Sequence, residues 1–349
     1  MNRRNYLKST LGLGGALMLP PGVLALAGCS DSNSTLPTGD ALVDFGGDTM
    51  GTNYRLRVAD AADNALREGV AGALADTDAR MSTYKPASEL MQLNTAARGE
   101  WQTLSDESFE VLATAERVRD MSNGSFDPSV GALVNLWGFG AKGNASTAPA
   151  ERDISRELAG VGAFELDTHS RQLRRSHAET QLDLSGIAKG YGVDRVASVL
   201  DAAGIDNYLV EVGGELRGRG LKPNGEAWRV AIERPDVAKR SVFRVVELAD
   251  KAIATSGDYR NFFIDGGVRF SHTIDPRTGR PVAHELASVS VIADTTLEAD
   301  ALSTAMMVMG PDAADALARK HGIAAHFILK SGKALEEQWT PAFEAYVSA

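Results

Sequence analysis

The sequence contains a single cysteine, Cys29, among its 349 residues. An intramolecular disulfide and a structural zinc site built on several cysteines are therefore both excluded. Basic residues are also fewer than acidic ones, 36 Lys and Arg against 46 Asp and Glu, so the formal net charge is −10. Because sequence-independent nucleic-acid binding depends on a basic surface, this balance argues against a nucleic-acid partner. After Cys29, no apolar run has the length that a membrane-spanning helix requires.

The first 28 residues have the pattern of an export signal. A positively charged start is followed by an apolar stretch over residues 11–19 and then by two prolines. This stretch is too short to cross a bilayer as a helix and is typical of a cleaved signal peptide. Residues 3–8, with the sequence RRNYLK, resemble the twin-arginine signature that directs export of folded proteins.

Residues 26–29, with the sequence LAGC, resemble a bacterial lipobox, in which the cysteine is lipidated and becomes the mature N-terminus. The alternative is an ordinary buried cysteine near the terminus. Lipidation of Cys29 predicts an exported protein attached to the membrane through lipid, at the periplasmic face of the cell envelope. The predicted division is a twin-arginine and lipoprotein signal peptide at 1–28, a polar, flexible tether at 29–40 and one domain at 41–349.

Hydrophobic periodicity after residue 41 predicts a single domain of the α+β class. Apolar residues recur at helical spacing in some segments and alternate in others. The predicted helices cover residues 63–81, 105–121, 187–200 and 299–309, and the predicted strands cover 52–59, 182–184, 208–220, 228–233, 243–248 and 287–293. Because strands occur in runs as well as beside helices, an α+β arrangement is favoured over a doubly wound sheet.

Asp300 and Thr304 lie one helical turn apart on the same face of a predicted helix. A carboxylate and a hydroxyl at this spacing can both reach one divalent cation, and such oxygen ligands suit Mg²⁺. The alternative is structural, with Asp300 complementing the helix dipole and Thr304 filling the core.

The glycine-rich segment 183–194 is predicted to run from a strand through a tight turn into a helix. Free backbone N–H groups at the helix start, together with Lys189, are suited to binding a phosphate. The segment matches neither a Walker A loop nor the dinucleotide-binding fingerprint. A strand-to-helix junction with a solvated lysine is the structural alternative.

Three further segments admit both functional and structural interpretations. His272 lies near hydroxyl and acidic residues within 255–279, so a Ser-His-Asp hydrolase is conceivable, although no Gly-x-Ser-x-Gly elbow is present. Trp137 and Phe139 can line a slot for a flat ring or pack in the core. The pair Gly213-Gly214 in an apolar strand indicates a bulge or a close backbone approach.

Taken in chain order, these segments closely resemble the ApbE family, the FAD:protein FMN transferases. The resemblance extends from about residue 45 to the C-terminus. It is carried by residues 49–52 (TMGT), 82–84 (STY), 126–127 (FD), 133–139 (LVNLWGF), 183–190, 255–259 (TSGDY), 271–279 and 300–304. The fold that the resemblance implies is α+β, with a T-fold-like core of mainly antiparallel sheet and packed helices.

The resemblance also implies an activity and a set of site residues. The family binds FAD and Mg²⁺ and transfers the FMN moiety to a threonine or serine hydroxyl of a target flavoprotein, releasing AMP. The implied acceptors are subunits of membrane redox complexes, such as the sodium-pumping NADH:quinone oxidoreductase and its relatives, or a respiratory accessory flavoprotein. The implied FAD contacts are Met50, Tyr84, Phe126, Asp127, Asp183, Lys189, His272 and Ile274; the implied metal ligands are Asp300, Thr304 and the backbone carbonyl of Gly186.

Within this interpretation His272 is the candidate base for the acceptor hydroxyl, because an imidazole titrates near working pH. Two alternatives stay open. An FAD pyrophosphatase would use the same metal with water as the acceptor, giving FMN and AMP. A non-catalytic lipoprotein would only bind flavin.

Overall fold

The structure is a computed structural model, and it describes residues 42–59, 62–141, 143, 146–236, 239–332 and 334–347. The predicted signal peptide, the lipidation of Cys29 and the tether at 29–40 lie outside the described residues. Among the helices that are described, none has both the length and the apolar character needed to cross a membrane.

The described residues form eight α-helices, one 3₁₀ helix and seventeen strands. The helices are α1 (Asn64–Met81), α2 (Glu89–Thr95), α3 (Asp106–Met121), α4 (Gly131–Leu136), α5 (Glu151–Leu158), α6 (Ala188–Ala202), α7 (Thr296–Met309) and α8 (Pro311–His321), with the 3₁₀ helix at Pro341–Tyr346. The strands are β1 (Val43–Thr49), β2 (Thr52–Val58), β3 (Gln102–Thr103), β4 (Phe164–Asp167), β5 (Gln172–Arg175), β6 (Tyr208–Val212), β7 (Glu215–Arg219), β8 (Trp228–Glu233), β9 (Val242–Leu248), β10 (Lys251–Gly257), β11 (Phe262–Asp265), β12 (Val268–Ser271), β13 (Ile274–Asp275), β14 (Arg280–Pro281), β15 (Leu286–Ala293), β16 (Ala324–Ser331) and β17 (Ala334–Trp339).

An eight-stranded antiparallel sheet forms the centre of the fold, in the order β1-β2-β6-β7-β10-β15-β16-β17. Helices cover one of its faces. Leu56 of β2 and Val210 of β6 pack against Val70 of α1 and Val196 of α6 in one apolar cluster. A larger cluster joins α3 and α7 to β10, β15 and β16. The prediction of an α+β fold with mainly antiparallel sheet is therefore confirmed.

Helix α7 lies in the interior, and most of its residues are buried. Asp194 of α6 fixes the start of α7: its carboxylate accepts hydrogen bonds from the backbone N–H of Thr296 (3.1 Å) and of Leu297 (2.8 Å). These N–H groups have no partner inside their own helix, so an acidic side chain is favourable there. Arg217 of β7 binds the same carboxylate at 2.6 Å. One side chain therefore ties α6, α7 and the sheet together.

Two predicted strands differ from the structure. Residues 182–184 form no strand, because the backbone N–H and C=O of Leu182 bond to the side-chain amide of Asn94 at 2.6 and 2.8 Å instead of to a ladder. Residues 208–220 form two strands, β6 and β7, joined by Gly213 and Gly214 as a two-residue turn. Both glycines have positive φ, 63° and 111°, which an ordinary side chain disfavours.

Candidate active site

One cavity of about 1520 Å³ gathers the residues that the sequence predicts for FAD and metal binding. They reach it from segments far apart in the chain: the β1–β2 turn, the loops after α1 and α3, the start of α6, the segment after β12, and α7. All of the predicted residues line it, namely Met50, Tyr84, Phe126, Asp127, Asp183, Gly186, Lys189, His272, Ile274, Asp300 and Thr304.

Asp300 and Thr304 face the cavity from α7, as the one-turn spacing predicts. The carboxylate of Asp300 is 2% exposed, and its Oδ2 accepts a hydrogen bond from the backbone N–H of Gly190 at 2.9 Å. The hydroxyl of Thr304 donates to the carbonyl oxygen of Gly186 at 3.3 Å and lies 3.1 Å from the hydroxyl of Ser256. A carboxylate, a hydroxyl and a backbone carbonyl therefore converge between α6, α7 and β10.

This oxygen set fits a divalent cation of the Mg²⁺ type. Within the described ranges no group of three or more His, Cys, Asp or Glu side chains can hold a metal. However, Mg²⁺ in phosphate-processing sites is commonly held by one or two carboxylates, with the substrate's phosphates and water completing the shell. Asp300 with Thr304 and the Gly186 carbonyl meets that description. Zinc, which favours nitrogen and sulfur ligands, is not suited to it.

Lys189 is paired with two buried carboxylates. Its Nζ lies 3.2 Å from Oε1 of Glu215 and 3.8 Å from Oδ2 of Asp300. Burial by itself would lower the pKa of Lys189, but the two carboxylates outweigh it and hold that pKa above its ordinary value. Burial has the opposite effect on Glu215 and raises its pKa, and the charge of Lys189 offsets only part of that rise. Lys189 is therefore a charged member of the site and not a solvated lysine.

His272 has its tautomer set by one carbonyl group. Its backbone N–H donates to the oxygen of Asn261 at 3.0 Å, and its ring Nδ1 lies 3.2 Å from the same oxygen. Because a carbonyl can only accept, Nδ1 carries the proton and Nε2 keeps its lone pair. Burial lowers the pKa of His272, an effect that the bond to Asn261 opposes and the charge of Lys189 reinforces. The imidazole is therefore neutral at neutral pH and can accept a proton.

The segment that carries His272 is connected to neighbouring elements by ion pairs, ring contacts and a hydrogen bond. Asp258, which follows β10, binds Arg269 of β12 at 2.8 Å and Lys330 of β16 at 2.5 Å. The side chain of Trp137 is buried against Phe263 and Phe270 of the β11–β12 hairpin, and its Nε1 donates to the carbonyl of Gly279 at 2.7 Å. Trp137 is thus core packing, whereas Phe139 borders the cavity.

A Ser-His-Asp triad is not assembled around His272. Its Nδ1 binds the Asn261 carbonyl instead of a carboxylate. The neighbouring Ser271 hydroxyl is buried, and it has no hydrogen-bond partner in the part of the chain that the structure describes. The hydrolase interpretation is therefore not supported by the geometry.

Three residues shape the rest of the cavity wall. Met50 forms the β1–β2 turn with a φ of 47°, an uncommon conformation for a residue other than glycine that often marks a functional constraint. Phe126 is buried, whereas Tyr84 is 70% exposed. An exposed aromatic ring beside a cavity is suited to stacking on a flat ligand.

The two predicted acidic FAD contacts have structural partners. The carboxylate of Asp127 accepts bonds from Arg119 Nε at 2.6 Å and from the N–H and hydroxyl of Ser129 at 2.8 and 2.5 Å. Asp183 accepts from the N–H of Ser185 at 2.8 Å. The bonds of Asp127 connect the loop after α3 to Arg119, and the residue lines the cavity.

Sequence reasoning missed two residues that support the site. Glu215 pairs with Lys189, and Ser256 contacts Thr304. The available signal for Glu215 was an acidic residue directly after a glycine pair in an apolar strand pattern. Ser256 lies inside the TSGDY segment but gives no signal of its own. Gly213 makes the close approach that was predicted, since a Cβ there would lie 3.1 Å from Cδ of Lys189.

Comparison of this chain with known proteins consistently gives matches to one family. A model of the ApbE family matches residues 50–327. The FAD:protein FMN transferase of Vibrio cholerae is 38% identical over 330 residues, 93% of this chain and 97% of that protein. The FAD:protein FMN transferase of Escherichia coli is 38% identical over 308 residues, 86% of this chain and 88% of that protein.

Solved structures agree with these matches. The flavin transferase ApbE from Vibrio cholerae has a TM-score of 0.81 at 38% identity, covering 88% of this chain and 99% of that chain. The Pseudomonas stutzeri flavinyl transferase ApbE, in its apo form, has a TM-score of 0.81 at 39% identity, covering 89% and 98%. The family model, the relatives and the fold therefore agree that this chain belongs to the ApbE family.

Proposed function

We propose that this chain transfers the FMN moiety of FAD to a serine or threonine hydroxyl of a target flavoprotein, with Mg²⁺, and releases AMP. The observation that carries the proposal is the convergence of three groups in one cavity. These are the neutral imidazole of His272, the ammonium of Lys189, and the oxygen set of Asp300, Thr304 and Gly186. Relatives that carry the name FAD:protein FMN transferase support the assignment.

The cavity is larger than a typical small-molecule site. Small-molecule sites commonly measure about 300–1,000 Å³, and this one is about 1520 Å³. The additional space is suited to a polypeptide segment of the acceptor. Tyr84, exposed at the cavity wall, and the buried Phe126 offer aromatic faces to the flavin or adenine ring.

The reaction follows from the groups present. Nε2 of His272 takes the proton of the acceptor hydroxyl as its oxygen bonds to the phosphorus of the FMN half. The bond from that phosphorus to the bridging oxygen breaks, and AMP leaves with both electrons of the bond. Lys189 neutralises charge on the phosphate oxygens, and the cavity walls hold the reactants in line. When bound at Asp300, Mg²⁺ would supply further neutralisation of the pyrophosphate.

The N-terminal sequence supports a location for the domain and, through it, a class of acceptor. A twin-arginine signal and lipidation of Cys29 would hold the domain at the periplasmic face of the envelope. An acceptor in reach of this domain exposes its serine or threonine on the same side. Target subunits of membrane redox complexes, or a respiratory accessory flavoprotein, meet that requirement.

An FAD pyrophosphatase activity is the second candidate. The side chain of Tyr84 at the cavity wall is 70% exposed. Water can therefore enter the cavity there and replace the acceptor hydroxyl. A protein that only binds flavin is less well supported, because binding alone needs no proton acceptor with a free lone pair.

The proposal is tested with the chain from Ser30 onward, incubated with FAD, Mg²⁺ and a periplasmic acceptor domain. We expect the intact mass of the acceptor to rise by one FMN group, and we expect a chelator to prevent the rise. The His272→Asn variant should bind FAD but leave the acceptor mass unchanged. FMN transfer at the parent rate by that variant would contradict the role of His272.

A further inference from the structure

Two buried carboxylates share one ammonium group at the centre of the cavity. Asp300 and Glu215 are 2% and 3% exposed, and Lys189 lies between them. Nζ of Lys189 is within hydrogen-bond distance of Glu215 Oε1, at 3.2 Å, but it is 3.8 Å from the nearer oxygen of Asp300. The ammonium is therefore hydrogen-bonded to Glu215 and forms a longer ion pair with Asp300.

The carboxyl group of Glu215 has an unused hydrogen-bond acceptor. Its second oxygen, Oε2, is buried and has no hydrogen-bond partner among the residues that the structure describes. A buried polar atom without a partner is costly, and its persistence calls for an explanation. Oε2 is therefore a second acceptor of Glu215 that no donor among the described residues uses.

The backbone restricts the other two groups. Gly213 packs against the Lys189 side chain, since a Cβ at that position would lie 3.1 Å from Lys189 Cδ. The N–H of Gly190 holds Oδ2 of Asp300 at 2.9 Å. One oxygen of Asp300 is therefore held by the backbone of α6, the Lys189 side chain lies beside Gly213, and its ammonium lies between the two carboxylates.

A divalent cation at Asp300 and a nearby ammonium repel each other. If Lys189 were hydrogen-bonded to Asp300 instead of forming the longer ion pair seen here, the cation would have to displace the ammonium in order to bind. We propose that Glu215 is a positioning residue that draws the Lys189 ammonium away from Asp300 and so leaves Asp300 free to bind the divalent cation. This inference rests on the proposed function, because it concerns the cation that the FMN transfer uses.

The test measures cation binding and not activity. Mn²⁺ is titrated into the flavin-free full-length chain, and free Mn²⁺ is followed by electron paramagnetic resonance. Glu215→Gln keeps the side-chain shape but removes the carboxyl group that bonds to Lys189. We expect this variant to bind Mn²⁺ about tenfold more weakly, the size of an ordinary coupling between neighbouring groups.

A second variant separates positioning from ligation. In Glu215→Gln/Lys189→Met the competing ammonium is absent, so we expect the affinity for Mn²⁺ to return to the parent value or above it. Lys189→Met alone should also bind Mn²⁺ at least as tightly as the parent. Glu211→Gln is the matched control, because Glu211 lines the same cavity from β6 without an ion pair to Lys189. Its affinity should equal that of the parent.

The outcomes are distinct. A parent that binds Mn²⁺ and a Glu215→Gln variant that binds it equally well would overturn the positioning role while leaving the proposed function intact. The positioning role would also be overturned if Glu215→Gln binds Mn²⁺ more weakly and the added Lys189→Met substitution does not restore binding. Glu215 would then act as a ligand or as a structural group. If Glu215→Gln fails to fold, weaker binding by Lys189→Met alone overturns the inference. A parent that binds no Mn²⁺ would overturn both this inference and the metal dependence of the proposed function.

Discussion

Gly190 and Asp300 are in direct contact across the interface of α6 and α7. The N–H of Gly190 donates to Asp300 Oδ2 at 2.9 Å, and a Cβ at residue 190 would lie 2.7 Å from Cβ of Asp300 and overlap the carbonyl oxygen of Thr296. The absence of a side chain at residue 190 therefore lets α7 approach α6 closely enough for Asp300 to receive this bond. The helix that supplies the candidate metal ligands is positioned by a glycine of another helix.

Replacing Gly190 should separate the two helices. We expect Gly190→Ala to lower the free energy of unfolding by about 1–3 kcal/mol, the usual cost of overpacking a tight interface, and to weaken FMN transfer strongly. Urea denaturation and the transfer rate check this prediction. The control is Gly72→Ala, because Gly72 lies in α1 with nothing near its Cβ direction. That variant should be as stable as the parent or up to about 1 kcal/mol more stable. Equal behaviour of the two variants would contradict the prediction.

The pH dependence of transfer should follow His272. Burial lowers the pKa of His272 below its ordinary value, so the free base is the main form at neutral pH. The rate should therefore change little between pH 8 and pH 7 and fall as the pH drops through the lowered pKa. Stopped assays of acceptor modification between pH 5 and pH 8 measure this profile, and His169→Asn, at an exposed position, should reproduce it. A rate that already falls between pH 8 and pH 7 would be inconsistent with this role.

The hydroxyl of Thr304 should matter for the cation more than for the fold. Thr304→Val keeps the shape of the side chain but removes an oxygen that lies 3.3 Å from the Gly186 carbonyl. We expect the Mg²⁺ concentration for half-maximal transfer to rise at least about tenfold. Thr77→Val is the matched control, since its hydroxyl bonds to the Ala73 carbonyl within α1. An unchanged Mg²⁺ requirement in Thr304→Val would remove Thr304 from the ligand set.

A buried histidine that does not line the cavity should make stability depend on pH. His326 of β16 is 1% exposed, stacks on Trp339 and Phe343, and has Nε2 at 3.1 Å from Glu337. Burial lowers the pKa of His326 in the folded state, so the unfolded chain binds this proton first as the pH falls. The stabilisation is therefore complete above pH 6.5 and decreases below it, by at most about 1.4 kcal/mol per pH unit for one group.

The measurement is the difference in unfolding free energy between the parent and His326→Gln from pH 8 to pH 5. Burial also lowers the pKa of His272 and of His284, and taking the difference cancels their contributions. We expect the difference to shrink as the pH falls. Parallel profiles would exclude His326 as a source of the pH dependence.

Local patterns predicted the parts of the site that depend on local geometry. Asp300 and Thr304 share a face because a helix repeats every 3.6 residues, and the structure brings both to the cavity. The motifs that contain Met50, Lys189 and His272 carry the family resemblance, and in the fold these three residues line the same cavity. Such predictions need only the order of residues along one element or one motif.

The features that the sequence did not predict correctly depend on contacts between distant segments. The alternation at 182–184 resembles a strand, but Asn94, about ninety residues earlier, satisfies its backbone. The pairing of Glu215 with Lys189 requires the β6–β7 turn to meet the start of α6. A single sequence has no local pattern that encodes either contact.

In the proposed reaction, one acceptor hydroxyl receives each FMN group that leaves FAD. The most direct test counts both products in one reaction containing FAD, Mg²⁺ and an acceptor domain: AMP by chromatography and modified acceptor by intact mass. We expect one AMP for each modified acceptor, with neither product formed in the presence of chelator. AMP that accumulates without acceptor modification, across several candidate acceptors, would contradict the transferase and favour a pyrophosphatase.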